Sequence, residues 1–264
     1  MNAPAPRILV IGLDDPEVTD LQTRTSARLI ADPALPMVTL EAGVLYAESS
    51  ATGRPFVPDK VIFHGIFEDD LDLIAGLALW GGPVLPNARG MLDGRLKLPC
   101  LVRAAAVSRY GAAARGYAST GALVRATGRT VAKWGNWHCG ENKVVFDRFH
   151  HPDQPTWYEP YWEGESVRVI VIGDRTWQVA LAGPDWLKSI HDPAARFVEP
   201  RPELVEDAVR LVRHFGLEIG AVDYQVEPDG TTHLLELNHI PSVTCFEEVR
   251  TAYLDLAAAW IAAS

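Results

Sequence analysis

Two strand-like segments joined by a tight turn constrain the fold of this chain more than any other feature. The segment GAVDYQV ends shortly before a Pro-Asp-Gly turn, and HLLELNHIPS begins shortly after it. A turn of this kind between two apolar runs predicts an antiparallel hairpin. Counted from the turn, Asp223 and Glu236 fall at matching heights, and Asn238, two residues further on, shares a face with Glu236. Leu235 and Leu237 are expected on the opposite face of that strand.

The polar side chains on this hairpin need partners, because uncompensated polar groups are costly to bury. Oxygen donors from Asp223, Glu236 and Asn238 on one surface suit a hard cation such as Mg²⁺. Magnesium needs few protein ligands when substrate phosphates supply the others. The alternative is that the carboxylates form ion pairs with nearby arginines, and the spacing alone leaves both interpretations open.

The first third of the chain alternates strand and helix signals. RILVIGL is a short continuous apolar run, typical of a parallel strand that is covered on both faces, and KVIFHG and PVLPN predict a second and a short third strand. The stretches that follow the first two runs predict helices. We therefore expect residues 1–90 to form an α/β, Rossmann-like N-terminal subdomain.

The rest of the chain, residues 91–264, predicts an α+β region with antiparallel sheets, because strand signals recur at hairpin spacing. The segment MLDGRLKLPCLVRAAAVSRYG predicts a helix that Pro99 kinks or interrupts. RPELVEDAVRLVRHFGLE has the apolar spacing of an amphipathic helix, and a C-terminal helix is predicted from about Thr244. A cleft between the two parts of the chain is the expected ligand site.

Composition and charge exclude several classes of protein. The 264 residues carry a formal net charge of −10, which argues against nucleic-acid and anionic-membrane partners because both favour a basic face. Cys100, Cys139 and Cys245 are widely spaced, which fits a reduced cytoplasmic protein better than a disulfide framework. The N-terminus lacks the basic start and long apolar core of a signal peptide, and no apolar run has the length of a membrane span. We expect a cytoplasmic protein.

Lysines and glycines in the middle of the chain are candidates for anion binding. Lys133 lies near the end of an apolar strand, where burial of a lysine is costly unless it meets an anion. The following GNWHCGENK offers glycine amides for a phosphate but lacks the order of a Walker loop. A solvated hairpin with an edge lysine is the alternative. His138 and Cys139 have no second pair at zinc spacing, which argues against a zinc site.

An aromatic and acidic segment, WYEPYWEGESVRVIVIGD, follows this loop region. Glu159, Glu163 and Glu165 lie among its aromatic residues, and Arg168 begins an apolar strand. A linker with such aromatics can sandwich a flat base. An aromatic core patch with a charged edge is the alternative interpretation.

The order of these segments resembles the ATP-grasp superfamily of carboxylate–amine ligases. An aspartate followed thirteen residues later by glutamate-x-asparagine is similar to D-alanine–D-alanine ligases, and Asp223, Glu236 and Asn238 show that interval. DWLKSIHD and VRVIVIGDRTWQVAL resemble the ribosomal-protein glutamate ligase and glutathione synthetase branches. The resemblance implies ATP-grasp subdomains after the N-terminal one. These are a central lid subdomain over about 110–162 and a C-terminal subdomain over about 163–264, with the nucleotide in the cleft between them.

The resemblance implies a metal centre and two catalytic cations. Asp223, Glu236 and Asn238 would hold one or two Mg²⁺, with Mn²⁺ as a substitute, against the phosphates of ATP. Lys133 would contact the nucleotide, and Arg168 would lie over the transferred phosphate or the acceptor carboxylate.

The resemblance also implies a set of nucleotide-binding residues. These are Lys97, Lys133, Gly135, Gly140, Lys143, Glu159, Pro160, Tyr161, Trp162 and Glu165. Glu159 to Trp162 would contact adenine, largely through backbone, and Glu165 would lie near the ribose. Gly135 to Lys143 would be a mobile loop that closes over the phosphates.

The reaction implied by the resemblance is ATP-dependent formation of an amide or peptide bond on an amino acid or peptide. A substrate carboxylate attacks the γ-phosphate, and an amine then displaces phosphate from the acylphosphate. A kinase-type phosphotransferase and a non-catalytic nucleotide-binding module are the alternatives. The expected partners are a small-molecule or peptide carboxylate and an amine, and a homodimer is one allowed assembly.

Several residues depart from the pattern of the family. Ala221 stands where D-alanine ligases carry an arginine, which argues against D-alanine–D-alanine ligation. Ser242 replaces the usual glycine, and Leu96 precedes Lys97 where an aspartate is usual. His239 is either a substrate contact or a packing residue.

Overall fold

A computed structural model describes residues 4–135 and 142–263 of the chain. The elements of the first part, in chain order, are β1 (Arg7–Ile11), α1 (Asp15–Arg24), β2 (Arg28–Asp32), β3 (Val38–Glu41), β4 (Val44–Glu48), β5 (Pro55–Phe56), β6 (Lys60–Phe63), α2 (Asp70–Trp80) and β7 (Val84–Leu85). Strands β1, β2, β6 and β7 form a parallel sheet in the order β2-β1-β6-β7. The three runs expected to be strands are β1, β6 and β7.

The parallel sheet separates two apolar cores. Alternate side chains of β1 point to opposite faces, so that Leu9 and Ile11 join one core and Ile8 and Val10 join the other. This arrangement explains why the sequence of β1 is apolar throughout rather than alternating. The antiparallel sheet β3-β4-β5 was not predicted from the sequence.

The middle of the chain builds a second sheet. Its elements are α3 (Ala88–Arg95), α4 (Lys97–Ala105), β8 (Gly116–Ala118), β9 (Val124–Arg125), β10 (Thr130–Trp134), β11 (Lys143–Phe146), β12 (Phe149–His150) and β13 (Thr156–Pro160). Strands β11-β10-β13-β8 form an antiparallel sheet, called here the central sheet. The helix predicted around Pro99 is two helices that meet at Leu96. Pro99 lies in the first turn of α4, where its missing N–H leaves no helical bond unmade.

The last part of the chain forms a five-stranded antiparallel sheet with two helices. Its elements are β14 (Glu165–Ile172), β15 (Arg175–Ala180), β16 (Arg196–Phe197), α5 (Pro202–His214), β17 (Ile219–Val226), β18 (Thr232–Asn238) and α6 (Glu247–Ala262). The strand order is β16-β15-β14-β17-β18. The amphipathic helix predicted from the sequence is α5, which contacts β14 and β17. The C-terminal helix begins at Glu247, three residues later than predicted.

The predicted hairpin of β17 and β18 is confirmed, with one irregularity. Asp223 pairs directly with Glu236, whereas Tyr224 pairs with Leu234, so that Leu235 is an extra residue in a β-bulge. The expectation that Leu235 points away from Glu236 was therefore wrong, because the bulge interrupts the alternation. Within the described residues, no helix is both long enough and apolar enough to cross a lipid bilayer.

Candidate functional site

A cavity of about 390 Å³ lies between the central sheet and the five-stranded sheet. Its walls include these residues singled out from the sequence: Lys97, Lys133, Gly135, Lys143, Glu159, Pro160, Tyr161, Trp162, Arg168, Asp223, Glu236 and Asn238. Gly140 lies outside the described residues, as do His138 and Cys139. The structure thus brings most of the candidates from distant parts of the sequence to one place.

An arginine and two polar residues from adjacent strands form the centre of the cavity wall. Arg168 on β14 pairs in register with Asp223 on β17, and its guanidinium donates two hydrogen bonds of 2.6 and 2.8 Å to that carboxylate. Asn238 donates a third bond of 3.3 Å. Burial raises the pKa of Asp223, and the charge of Arg168 opposes that rise. The carboxylate is thus buried but partnered by groups that border open volume.

Glu236 is held by the first residue of a helix. Lys97, at the start of α4, donates to the Glu236 carboxylate at 2.7 Å. The ion-pair alternative considered for the two carboxylates is thus present in this structure, with a lysine as well as an arginine. Each carboxylate of the pair thus has a cation beside it, which offsets the repulsion between two neighbouring negative charges.

The hairpin donors fit a hard divalent ion by their chemistry. Asp223 and Glu236 are direct cross-strand partners, and Asn238 lies one side-chain step further along the same strand face. No cluster of three His, Cys, Asp or Glu side chains with metal-binding geometry occurs in residues 4–135 and 142–263. The site offers two carboxylates and one carboxamide, which suits Mg²⁺ only where a ligand such as phosphate completes the coordination. The metal assignment stays a prediction.

Lys133 on β10 faces the cavity with a buried carboxylate as its partner. Its ammonium forms an ion pair with Glu159 on the neighbouring strand β13 and lies 4.7 Å from the Trp157 ring centroid. Arg115 approaches the other oxygen of Glu159 at 3.4 Å and also donates to the carbonyl of Leu234. Arg115 therefore links the central sheet to the bulge of β18. No role was predicted for Arg115 from the sequence, since it lies in no recognisable motif.

Lys143 on β11 lies directly opposite Lys133 in the strand register. Burial lowers the pKa of Lys143, and the nearby charge of Lys133 lowers it further. Its Nζ lies 5.6 Å from the Trp186 ring centroid, and no carboxylate among the described residues lies within ion-pair distance. A desolvated ammonium of this kind attracts an anionic ligand.

The aromatic segment after β13 lines one end of the cavity. Trp162 stacks on His233, with ring centroids 4.3 Å apart and planes 12° apart. Tyr161 contacts the edge of Trp186, whereas Trp157 is buried in a core cluster. The segment thus contributes to the core through Trp157 and to the cavity wall through Tyr161 and Trp162, and its contact with a flat base stays a prediction.

No protein-family model matches this chain, and no curated protein sequence matches it. Solved structures do. D-Alanyl-alanine synthetase A from Vibrio cholerae superposes with a TM-score of 0.68 at 12% identity, covering 99% of this chain and 98% of that one. Macrocyclase MdnC from Microcystis aeruginosa, bound with precursor peptide MdnA, gives 0.62 at 14% identity, covering 95% and 98%. The ATP-grasp ligase PsnB, complexed with minimal precursor, Mg and ADP, gives 0.61 at 17%, covering 99% of both chains.

The chain has the ATP-grasp fold. Identities this low show the fold and leave the activity to be argued from the cavity.

One candidate lies outside the cavity of this ATP-grasp fold. Glu165 begins β14, and side chains alternate along a strand, so that Glu165 shares a face with Val167 rather than with Ser166 and Arg168. Its carboxylate pairs with Arg201 at 2.7 Å. The structure therefore does not bring Glu165 to the other nucleotide-binding candidates.

Several cavity residues were given no role from the sequence, although three of them lie in the segment DWLKSIHD that was noted for its resemblance. Trp186, Lys188 and His191 come from the connection between β15 and β16, and Leu235 comes from the bulge. Lys188 donates a hydrogen bond of 2.8 Å to the carbonyl of Gly183, and this bond closes the loop to which both residues belong. A loop without regular structure gives no periodic signal, so that the direction of its side chains is not readable from the sequence.

Proposed function

We propose that this protein is an ATP- and Mg²⁺-dependent ligase that joins a carboxylate to an amine and releases ADP and phosphate. The observation that supports the proposal is the set of side chains that line one cavity in an ATP-grasp fold. It combines Lys133, Lys143 and Arg168 with the oxygen donors of two paired strands. Cations arrayed around oxygen donors are what phosphoryl transfer requires.

The nucleotide would lie along the central sheet. Tyr161 and Trp162 offer ring faces and backbone groups for adenine at one end of the cavity. Lys133 and Lys143, opposite each other on two strands, would bind the phosphates. Asp223, Glu236 and Asn238 are the residues that would hold Mg²⁺. That ion supplies charge neutralisation for the phosphates when it is bound.

Arg168 is the residue that would act on the transferred group. Its guanidinium lies at the centre of the cavity wall, held in a fixed orientation by two bonds to Asp223. A fixed guanidinium stabilises the negative charge that develops as the substrate carboxylate attacks the γ-phosphate. The amine then forms the C–N bond, and the C–O bond to phosphate breaks.

The substrate class that we propose is an amino acid or a peptide. Two of the structural neighbours described above are bound with precursor peptides, MdnC with MdnA and PsnB with a minimal precursor. Ala221 is fully buried opposite Asn238 and gives no charge for gripping a carboxylate. D-Alanine–D-alanine ligation is therefore not part of the proposal.

The test measures the products of ATP turnover. The protein is incubated with Mg²⁺ and ATP, with and without a panel of amino acids, D-alanine and short peptides, and ADP, phosphate and mass-shifted products are quantified. A ligase releases both ADP and phosphate only when a carboxylate and an amine are present. ADP formation with a phosphorylated acceptor and no free phosphate would indicate the phosphotransferase instead. Nucleotide binding without any turnover over the whole panel would contradict both reactions.

A further inference from the structure

Side chains along the five-stranded sheet define the direction of the cavity. The aromatic linker, residues 159–164, precedes β14. Ser166, the second residue of β14, donates a hydrogen bond of 2.7 Å to the side chain of Gln225. Arg168 and Asp223 form the next pair along the strands. Asn238 ends β18, and the chain then continues through Ile240 to Ser242. The cavity therefore runs from the aromatic linker, past the paired carboxylates, to Ser242.

A histidine lies at this far end, fixed from two sides. The Nε2 of His191 lies 3.2 Å from the Ser242 hydroxyl, and its Nδ1 lies 3.3 Å from the Cys245 sulfur. The loop that carries His191 is anchored by the bridge between Ala182 and Ser189. His191 and Ser242 both line the cavity, whereas Cys245 does not. The imidazole thus presents its Nε2 side to the open volume.

The chemistry proposed above needs a base at this end. An amine is protonated near neutral pH and cannot attack an acylphosphate until it loses a proton. Three carboxylates in the middle of the cavity wall each form an ion pair with a cation. The pairs are Glu159 with Lys133, Asp223 with Arg168 and Glu236 with Lys97.

The remaining acidic groups of the cavity wall are also engaged. Glu163 pairs with Arg129, and Asp185 accepts the backbone N–H of Trp186. His191 is the one histidine among the described residues that line the cavity, and no described carboxylate lies within ion-pair distance of its ring. Histidine is the side chain that ordinarily exchanges a proton between pH 5 and 8.

We propose that His191 is the general base that deprotonates the attacking amine. This proposal rests on the ligase function and assigns a residue to the second step of that reaction, the attack of the amine on the acylphosphate. With Nδ1–H donating to Cys245, Nε2 accepts the Ser242 hydroxyl when the site is free and the amine proton when the acceptor is bound. As that proton moves to Nε2, the nitrogen lone pair forms the C–N bond. The C–O bond of the acylphosphate breaks, phosphate leaves with the electron pair and takes up the second proton from the nitrogen, and the imidazolium returns its proton to solvent. Ser242 and Cys245 are positioning residues.

The experiment separates the two half-reactions with hydroxylamine. Hydroxylamine is unprotonated at neutral pH, so that it attacks an acylphosphate without a protein base and gives a hydroxamate. The parent protein, His191→Gln and the control His151→Gln, an exposed histidine outside the cavity, are compared. Each receives Mg²⁺, ATP and the carboxylate of the panel that gives the most ADP, with either hydroxylamine or the amine.

We expect His191→Gln to form hydroxamate as fast as the parent does while its amide formation falls by about 100-fold or more. His151→Gln should match the parent in both assays. Unchanged amide formation in His191→Gln would overturn the base assignment. Equal loss of hydroxamate and amide would also overturn it, since the residue would then act on the first step or on the fold. Absence of hydroxamate with the parent protein would instead refute the ligase function, and the base assignment with it.

Discussion

The two faces of the five-stranded sheet each bury an aspartate, and the comparison shows how a structural carboxylate differs from a functional one. Asp207, on α5, is fully buried and accepts bonds from Ser108 at 2.7 Å, the Arg109 backbone at 2.8 Å and Tyr224 at 3.0 Å. Asp223, on the opposite face, borders the cavity. Burial is nearly the same for both carboxylates. What differs is whether the surrounding protein fills all the space around them.

The chemistry of Tyr224 supports this distinction. Its hydroxyl donates to Asp207, and burial together with the charge of that carboxylate raises the pKa of Tyr224. The tyrosine therefore stays a donor, and Asp207 has a closed set of partners that includes Arg210. Asp223 has partners as well, but one side of its surroundings is open to a ligand.

The largest effect that would test the comparison is a loss of stability at Asp207. Asp207→Ala should reduce the free energy of unfolding by about 3–5 kcal/mol, because Arg210 and three other donors lose a buried acceptor. Urea unfolding measures the change, and calorimetry with an ATP analogue should show unchanged affinity for the protein that remains folded. A large loss of nucleotide affinity with normal stability would show that Asp207 is not a purely structural residue.

Glu236→Gln should have the opposite effect to Asp207→Ala, a loss of activity with little loss of stability. Turnover should fall by about 100-fold or more, because the neutral amide no longer offers a charged oxygen to Mg²⁺, while the unfolding midpoint changes little in a site open to solvent. ADP formation and urea unfolding are measured on the same samples. The matched control is Glu247→Gln, an exposed glutamate at the start of α6, which should leave both unchanged. Full activity of Glu236→Gln would remove the metal assignment.

The parts of this site that follow a regular strand period could be predicted from the sequence. The pairing of Asp223 with Glu236 was predicted by counting from a turn, and the structure confirms it. Leu235 was misplaced because a bulge adds one residue without a local sequence signal. Glu165 was implied by resemblance alone, and the alternation of β14 directs it away from the cavity.

Residues that act through long-range contacts were beyond sequence reasoning. Arg115 reaches Glu159 and Leu234, which lie 44 and 119 positions further along the chain, and neither contact leaves a pattern near Arg115. His191 lies in a connection without periodicity, and its neighbours Ser242 and Cys245 come from another connection. The domain boundaries near residue 90 and residue 162 stay predictions.

A third ionisable group, His64, sharpens the comparison. It is half-buried, it lacks a closed partner set like that of Asp207 among the described residues, and it does not line the cavity. It follows β6, and its ring lies 5.3 Å from that of Tyr253. Burial lowers the pKa of His64 to about 4. The unfolded chain, with an ordinary histidine pKa, therefore binds one more proton between about pH 4 and 6.5.

The contribution of the neutral His64 imidazole to the unfolding free energy is accordingly complete above about pH 6.5. It is lost as the pH falls toward 4. This histidine should account for about 2 kcal/mol of the difference in unfolding free energy between pH 7 and pH 4.5. Urea unfolding of the parent and of His64→Gln at both values measures it. The variant should show a smaller loss at the lower pH, whereas identical losses would mean that the imidazole is not desolvated in the folded protein.

The smallest expected effect concerns Lys133, which belongs to both sides of the comparison because it stabilises a buried carboxylate and also faces the cavity. Lys133→Met keeps the aliphatic stem that packs near Trp157 and removes the charge. Arg115 still approaches Glu159 at 3.4 Å, so that the carboxylate keeps one cation and the protein should fold. Affinity for an ATP analogue should fall by about 10-fold, as one phosphate-binding charge is lost while Lys143 remains.

Calorimetry with the parent, Lys133→Met and the control Arg175→Met, an exposed arginine at the start of β15, separates the two roles of Lys133. The control should bind the analogue as the parent does. Unchanged affinity together with a large loss of stability in Lys133→Met would place Lys133 with Asp207, as a structural partner of Glu159. Weaker binding with normal stability would place it with Asp223, since only a charge that borders the open volume can act on a ligand without supporting the fold.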